Sequence, residues 1–176
     1  LTIKVTCMSK KLISIVVPCY CEEAALPAFW EEINKTTINM SDVDFEFLFI
    51  DDGSTDKTVE ILRKLSQEDT RVRYISFSRN FGKEAAMFAG LKNSNGDYVA
   101  IMDADLQDDI NAVDGMIEKY KEGADIVYGV RNKRETDTFF KRFTAEGYYT
   151  VMKKMGVDLV FNHADYRLMS RRALEG

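Results

Sequence analysis

The sequence predicts an α/β protein in which a mostly parallel sheet is covered by helices on both faces. Three observations predict it. Short β-branched apolar runs alternate with segments of helical apolar spacing through at least four units. Acidic and glycine-containing turns follow those runs. The chain, at 176 residues with 45% hydrophobic and 30% charged side chains, has the length and composition of one globular domain with a core of its own.

Residues 13–17, Ile-Ser-Ile-Val-Val, read as a buried parallel strand stopped by Pro18. Leu26, Phe29, Trp30 and Ile33 recur at i, i+3, i+4 and i+7, one face of a helix. Residues 45–50 form a second strand, with Asp51-Asp52-Gly53-Ser54 at its carboxyl end. Ser54, Thr55 or Asp56 can cap the next helix, whose apolar face includes Val59, Leu62 and Leu65. A third strand covers 73–77, and 83–92 is a small-residue helix with Ala85, Ala86, Ala89 and Leu91. After a turn at Asn95-Gly96-Asp97, a fourth strand at 98–102 runs into Asp103-Ala104-Asp105. Val113, Met116, Ile117 and Tyr120 mark another helix, and 126–130 a fifth strand. Residues 138–155, with Phe139, Phe143, Val151, Met152 and Met155, read as helical, while 157–176 carries no clear pattern. Residues 1–12 read as leader, with Met8 as a candidate start, and the domain as 13–176.

Composition removes several function classes. His163 is the single histidine, which excludes HExxH and any chemistry needing two imidazoles. Cys7, Cys19 and Cys21 are odd in number and read as reduced structural thiols. Strand alternation puts Cys19 and Cys21 on one face. Lys and Arg number 24 against 29 Asp and Glu, a net charge of −5, so no nucleic-acid partner is expected. No apolar run approaches the 18 residues of a membrane span. Gly82-Lys83 lacks the glycine spacing and the following Ser or Thr of a P-loop, and no G-x-G-x-x-G occurs. Nucleotide binding would therefore rest on metal-bridged phosphates, and carboxylates would hold a hard cation, Mg²⁺ or Mn²⁺.

In open parallel sheets, ligands bind beyond the carboxyl ends of the strands. Residues 18–22, 51–54, 103–105 and 129–131 all fall there. Asp103 and Asp105 read as a cation site that takes its remaining ligands from phosphate and water, with Gln107 adding a neutral oxygen; the alternative is a pair of solvated loop acids. Asp52 can accept hydrogen bonds from a base or ribose, while Asp51 or Ser54 forms an Asx-type turn.

Five ordered motifs carry a resemblance: Val17-Pro18-Cys19-Tyr20-Cys21-Glu22-Glu23, the stretch Ile50 to Asp56, Arg79-Asn80-Phe81-Gly82-Lys83, the stretch Met102 to Asp108, and Gly129-Val130-Arg131. Together they resemble the family 2 glycosyltransferases of GT-A fold, and within them the polyprenyl-phosphate group of dolichol-phosphate mannose synthases and bactoprenol glucosyltransferases. The resemblance implies a UDP- or GDP-sugar donor. It implies that Pro18, Tyr20, Glu22, Ile50 and Asp52 contact the nucleoside, with Lys83 near the nucleotide. Asp103, Ala104, Asp105 and Gln107 would lie at the metal and diphosphate. Arg131 and Arg142 would bind the acceptor phosphate. Residues 162–167 match a segment that places an acid by the sugar, making Asp165 a base or sugar-orienting group beside the other catalytic candidates, Asp105 and Arg131. Two positions depart from the family: Cys21 stands where Asn is usual, and Asp109-Ile110 where Pro-Pro is usual.

An acceptor phosphate, with a second pKa of about 6, is already a nucleophilic oxyanion near neutrality. It needs positioning and neutralisation by arginine more than a base. The expected reaction is one displacement with inversion, moving a hexose to a polyprenyl phosphate. Alternatives are a saccharide or protein hydroxyl as acceptor, a non-catalytic α/β signalling module, or a donor-binding domain without activity. Bactoprenol-type relatives continue into two carboxyl-terminal membrane helices, so the chain is expected to be the part preceding them. It would act at the cytoplasmic side of the membrane, anchored through a region it lacks, with a homo-oligomer allowed. Phe139, Phe140 and Phe143, beside Lys141 and Arg142, read as core packing or as a membrane contact.

Overall fold

The computed structural model describes residues 10–105, 112–130 and 163–175. In chain order the elements are β1 (Lys11–Cys19), α1 (Leu26–Ile38), β2 (Val43–Asp51), α2 (Thr58–Glu68), β3 (Val72–Ser76), α3 (Lys83–Asn93), β4 (Tyr98–Ile101), α4 (Ala112–Lys121), β5 (Ile126–Val130), β6 (His163–Ser170) and α5 (Arg171–Glu175). The six strands form one sheet in the order β3-β2-β1-β4-β6-β5. The first four are mutually parallel, and β6 runs antiparallel to both of its neighbours.

Period-2 alternation along the strands builds two cores. On one face Ile13, Ile15 and Val17 join Phe45, Phe47 and Phe49 beneath Leu26, Phe29 and Ile33 of α1, Leu62 of α2 and Met116 of α4. Phe29 meets Phe49 edge-on at 6.2 Å, and Trp30 meets Phe47 at 5.1 Å. On the other face Val16, Leu48, Ile50, Val99 and Ile101 pack against Ala86, with Met87, Ala89 and Leu91 of α3 and Leu174 of α5 at its margin. The small residues of α3 have a packing reason: a Cβ at Gly90 would lie 2.1 Å from Cγ1 of Val16. The helix rests so close to the sheet that only glycine fits there.

The structure corrects the reading of Pro18. The strand runs through it to Cys19, with Pro18 in register with Ile50. Pairing with β4 ends at Val16, whose carbonyl accepts from Met102. The missing proline donor faces that side, where no ladder bond is lost. Lys11 and Leu12, read as leader, pair with Val43 and Asp44. At the carboxyl terminus, where the sequence shows no pattern, β6 inserts between β4 and β5. The expected helix at 138–155, with Phe139, Phe140 and Phe143, lies outside the described residues. No described helix is long and apolar enough to cross a membrane.

At the amino edge of the sheet, a buried polar cluster ties β1, β2 and the α3–β4 turn. Glu46 accepts from Ser14 Oγ at 2.5 Å, from the Asn95 amide at 2.5 Å, from Asn95 Nδ2 at 3.0 Å and from Arg73 at 3.2 Å. Ser14 Oγ in turn accepts from the Gly96 amide at 2.7 Å. Burial opposes ionisation of Glu46, but the donors Ser14 and Asn95, with Arg73, outweigh it and hold the carboxyl below its ordinary range. A depressed folded-state pKa stabilises the protein above the unfolded value, and that contribution is lost as pH falls through the folded one. Glu46→Ala strands the buried Ser14 hydroxyl and takes the acceptor from the Asn95 and Arg73 donors, and is expected to cost about 2–3 kcal/mol. In thermal melts this should lower the midpoint by roughly 5–10 °C at pH 7, with the gap to the parent narrowing in acid.

Candidate active site

Three parallel strands end together, and the loops that leave them are stitched to one another. The Asp51 carboxylate accepts from its own turn at Ser54 N (3.1 Å) and from Ser76 Oγ on β3 (2.7 Å), the structural role expected for it as one alternative. Ser54 Oγ accepts from the Cys21 amide at 2.9 Å, Thr58 Oγ1 from the Glu22 amide at 2.9 Å, and Asp56 from the Glu23 amide at 3.1 Å. The expected helix cap thus becomes a bridge between loops. Of the three candidates only Asp56 also accepts from a helical amide, that of Thr58 at 3.0 Å. Cys19 and Cys21 do not share a face. β1 ends at Cys19, which is buried, and Cys21 is exposed in the left-handed region at φ 55°. Burial first, and then the carboxylates of Glu22, Asp51 and Asp103, push the Cys19 thiol well above its ordinary range, so it stays protonated.

Asp52, almost fully buried, accepts from the amides of Phe81 (2.7 Å) and Gly82 (2.9 Å) with its two oxygens. Gly53 backs the same contact: at φ +70°, a Cβ there would sit 2.3 Å from the Arg79 backbone. The loop before α3 is therefore clamped to the end of β2. That clamp brings Lys83, the first residue of α3, across to Asp103, with Nζ 2.9 Å from Oδ2.

These loops enclose a cleft of about 300 Å³ at the carboxyl edge, lined by Pro18, Tyr20, Glu22, Asp52, Lys83, Asp103, Ala104 and Asp105. Eight of the residues anticipated from the sequence thus meet in one place. Cys19, Asn80, Gly82 and Ala86 also line it. They were not anticipated as contacts, although Cys19, Asn80 and Gly82 stand inside recognised motifs. Ile50 does not reach the cleft; its side chain is fully buried among Val16, Leu48 and Ala86. Gln107, Arg131, Arg142 and Asp109-Ile110 lie outside the described residues. For Asp165 the ladder register gives a position. Ile101 pairs with Arg167 antiparallel, so Asp103 and Asp165 each lie two residues beyond that pair at the same sheet edge.

Glu22 shows the electrostatics of the cleft. Burial raises its pKa, and the charges of Asp105, Asp103 and Asp56 raise it further. Among the described residues, no three of His, Cys, Asp and Glu converge to enclose a metal unaided. Two aspartates on the wall of an acid-lined cleft fit a hard cation that takes its other oxygens from a phosphate ligand and water.

The family model described as Glycosyl transferase family 2 matches residues 14–176. An uncharacterized glycosyltransferase YkoT of Bacillus subtilis is 42% identical over 177 residues, covering 95% of this chain and 52% of its own. The bactoprenol glucosyl transferase of Shigella phage SfV is 43% identical over 164 residues, covering 93% and 53%. The chain therefore spans about half the length of these curated relatives. Among solved structures, a mannosyltransferase from Pyrobaculum calidifontis in complex with GDP-Man and Mn²⁺ superposes with a TM-score of 0.66 at 19% identity, over 94% of this chain and 46% of its own. Glucosyl-3-phosphoglycerate synthase from Mycobacterium tuberculosis, in complex with Mn²⁺, UDP and phosphoglyceric acid, gives 0.65 at 23%, over 92% and 56%. At these identities the two structures establish the shared GT-A fold.

Two outcomes test this geometry. Cys21→Gly keeps the amide bond to Ser54 and removes the left-handed strain, so it should stabilise the protein by about 1 kcal/mol in chemical denaturation. Glu22→Gln removes one charge from a like-charged cleft. The raised pKa of Glu22 favours folding while the group is protonated, and that contribution is lost as pH rises through the folded value. The variant should therefore melt roughly 1–2 °C higher than the parent at pH 8 and level with it near pH 4.

Proposed function

The chain belongs to glycosyltransferase family 2, and from that membership we propose that it transfers a hexose from a UDP- or GDP-linked donor to a polyprenyl phosphate, with inversion. The observation that carries the reading is the meeting of Tyr20, Glu22, Asp52, Lys83, Asp103 and Asp105 in one cleft at the carboxyl edge of the parallel strands. A basic acceptor-binding surface would complete it. The bactoprenol glucosyl transferase relatives support a lipid-phosphate acceptor.

In this reading the exposed ring of Tyr20 and the carboxylates of Glu22 and Asp52 hold the nucleoside, and Lys83 meets the diphosphate. Asp52 does so with lone pairs beyond those given to Phe81 and Gly82. Asp103 and Asp105, with Gln107, would hold Mg²⁺ or Mn²⁺, which when bound supplies Lewis-acid neutralisation of the departing diphosphate. Arg131 and Arg142 would grip the acceptor phosphate and fix one of its oxygens in line with the anomeric carbon. That oxygen forms the new glycosidic bond as the bond to the donor diphosphate breaks, and the electron pair leaves with the nucleoside diphosphate. No proton has to move from an acceptor that is already ionised, so Asp165 would orient the sugar rather than act as a base.

The test is nucleoside diphosphate release from a panel of UDP- and GDP-sugars, using the full-length gene product in membranes supplied with polyprenyl phosphate. One donor should give transfer to lipid. Asp103→Asn should reduce it at least about 100-fold, the scale of several kcal/mol of lost charge stabilisation. Arg131→Ala should abolish lipid transfer while retaining slow donor hydrolysis. Unchanged lipid transfer in Arg131→Ala would remove that arginine from the acceptor site, and no turnover with any donor would overturn the reading.

A further inference from the structure

A lysine in the first turn of a helix opposes the positive end of the helix dipole. Lys83 nonetheless begins α3 and sends its ammonium 2.9 Å from Asp103 Oδ2. The position is enforced from behind. Asp52 clamps the two preceding amides, Phe81 and Gly82, and Gly53 admits the Arg79 backbone where a side chain would collide. The helix start is fixed, and the charge rides on a flexible four-carbon stem. Both partners are partly exposed, with side-chain exposures of 40% for Lys83 and 25% for Asp103, so the stem can swing without disturbing either core.

We propose that Lys83 is the counter-cation of Asp103 until the donor arrives, so that tight divalent-cation binding becomes conditional on the diphosphate. An ammonium hydrogen-bonded to Asp103 competes directly for its carboxylate and repels a divalent ion brought beside it. The diphosphate offers Lys83 a more highly charged acceptor in the same cleft. As the ammonium transfers to phosphate oxygen, the Asp103 carboxylate is released to the cation. One lysine thus serves two successive anions, and cation and nucleotide strengthen each other's binding reciprocally. Lys83 is a positioning residue in this scheme. The inference rests on the donor-and-cation reading of the cleft given above.

Mn²⁺ binding, followed by the electron paramagnetic resonance of free Mn²⁺, tests it on the intact protein with and without UDP or GDP. Without nucleotide, Lys83→Met should bind Mn²⁺ at least about 5-fold more tightly than the parent. The enhancement that nucleotide gives the parent should shrink by a similar factor, within the usual range of coupling between two ligands. Lys83→Arg, which keeps the charge, should retain the coupling. If circular dichroism shows Lys83→Met unfolded, Lys83→Gln takes its place. Mn²⁺ affinity no higher in the uncharged variant, while the parent still binds nucleotide with Mn²⁺, would overturn the counter-cation role alone. A parent that binds neither UDP nor GDP at any Mn²⁺ concentration would overturn the donor reading and this inference with it.

Discussion

Like charges gathered at one edge of a sheet repel, and the organisation of this cleft follows from holding them there. The burden appears in Glu22, whose ionisation is opposed by burial and by Asp105 and Asp103. Three devices offset it. Asp52 is neutralised in part by the Phe81 and Gly82 amides, Asp51 is consumed by its own turn and by Ser76, and Asp103 is paired with Lys83. What is left is a cleft biased toward cations and toward anions that bring cations with them.

The two edges of the sheet make opposite use of buried polar groups. At the amino edge, Glu46 is surrounded by donors from Ser14, Asn95 and Arg73, and its charged form is favoured. Arg171 closes the same edge by donating to the carbonyls of Ser94 and Gly96. Such a satisfied network fixes the register of β1 on β2 and the turn into β4. At the carboxyl edge the charged form of Glu22 is disfavoured, and side chains such as Tyr20 stand open to solvent. Local electrostatic strain concentrates where ligands act, and consistency where only folding is at stake.

The alternation of strands and helices was legible because apolar periodicity is local: Leu26, Phe29 and Ile33 declare a helix face without reference to anything distant. The acidic cleft was legible through topology, since the residues that follow parallel strands must share an edge. Other features depended on partners far along the chain. Pro18 stays inside its strand because β4 stops short of it, and β4 lies some eighty residues away. Cys21 leaves the strand face because its amide turns toward Ser54. Ile50, carried into the candidate site by resemblance, lies on the α3 face of β2. The strand β6 escaped notice because an antiparallel insertion between β4 and β5 leaves no mark on the alternating pattern.

Gly90 carries a mechanical corollary. With Val16 filling the space where even a methyl would stand, α3 sits on the sheet without clearance, and sliding or rolling would drive backbone into side chain. The rim of the cleft built on α3 thus behaves as a fixed jaw. Any change of aperture must come from swinging side chains on that rim or from the other described loops that line the cleft, those at Pro18–Glu22 and Asp103–Asp105.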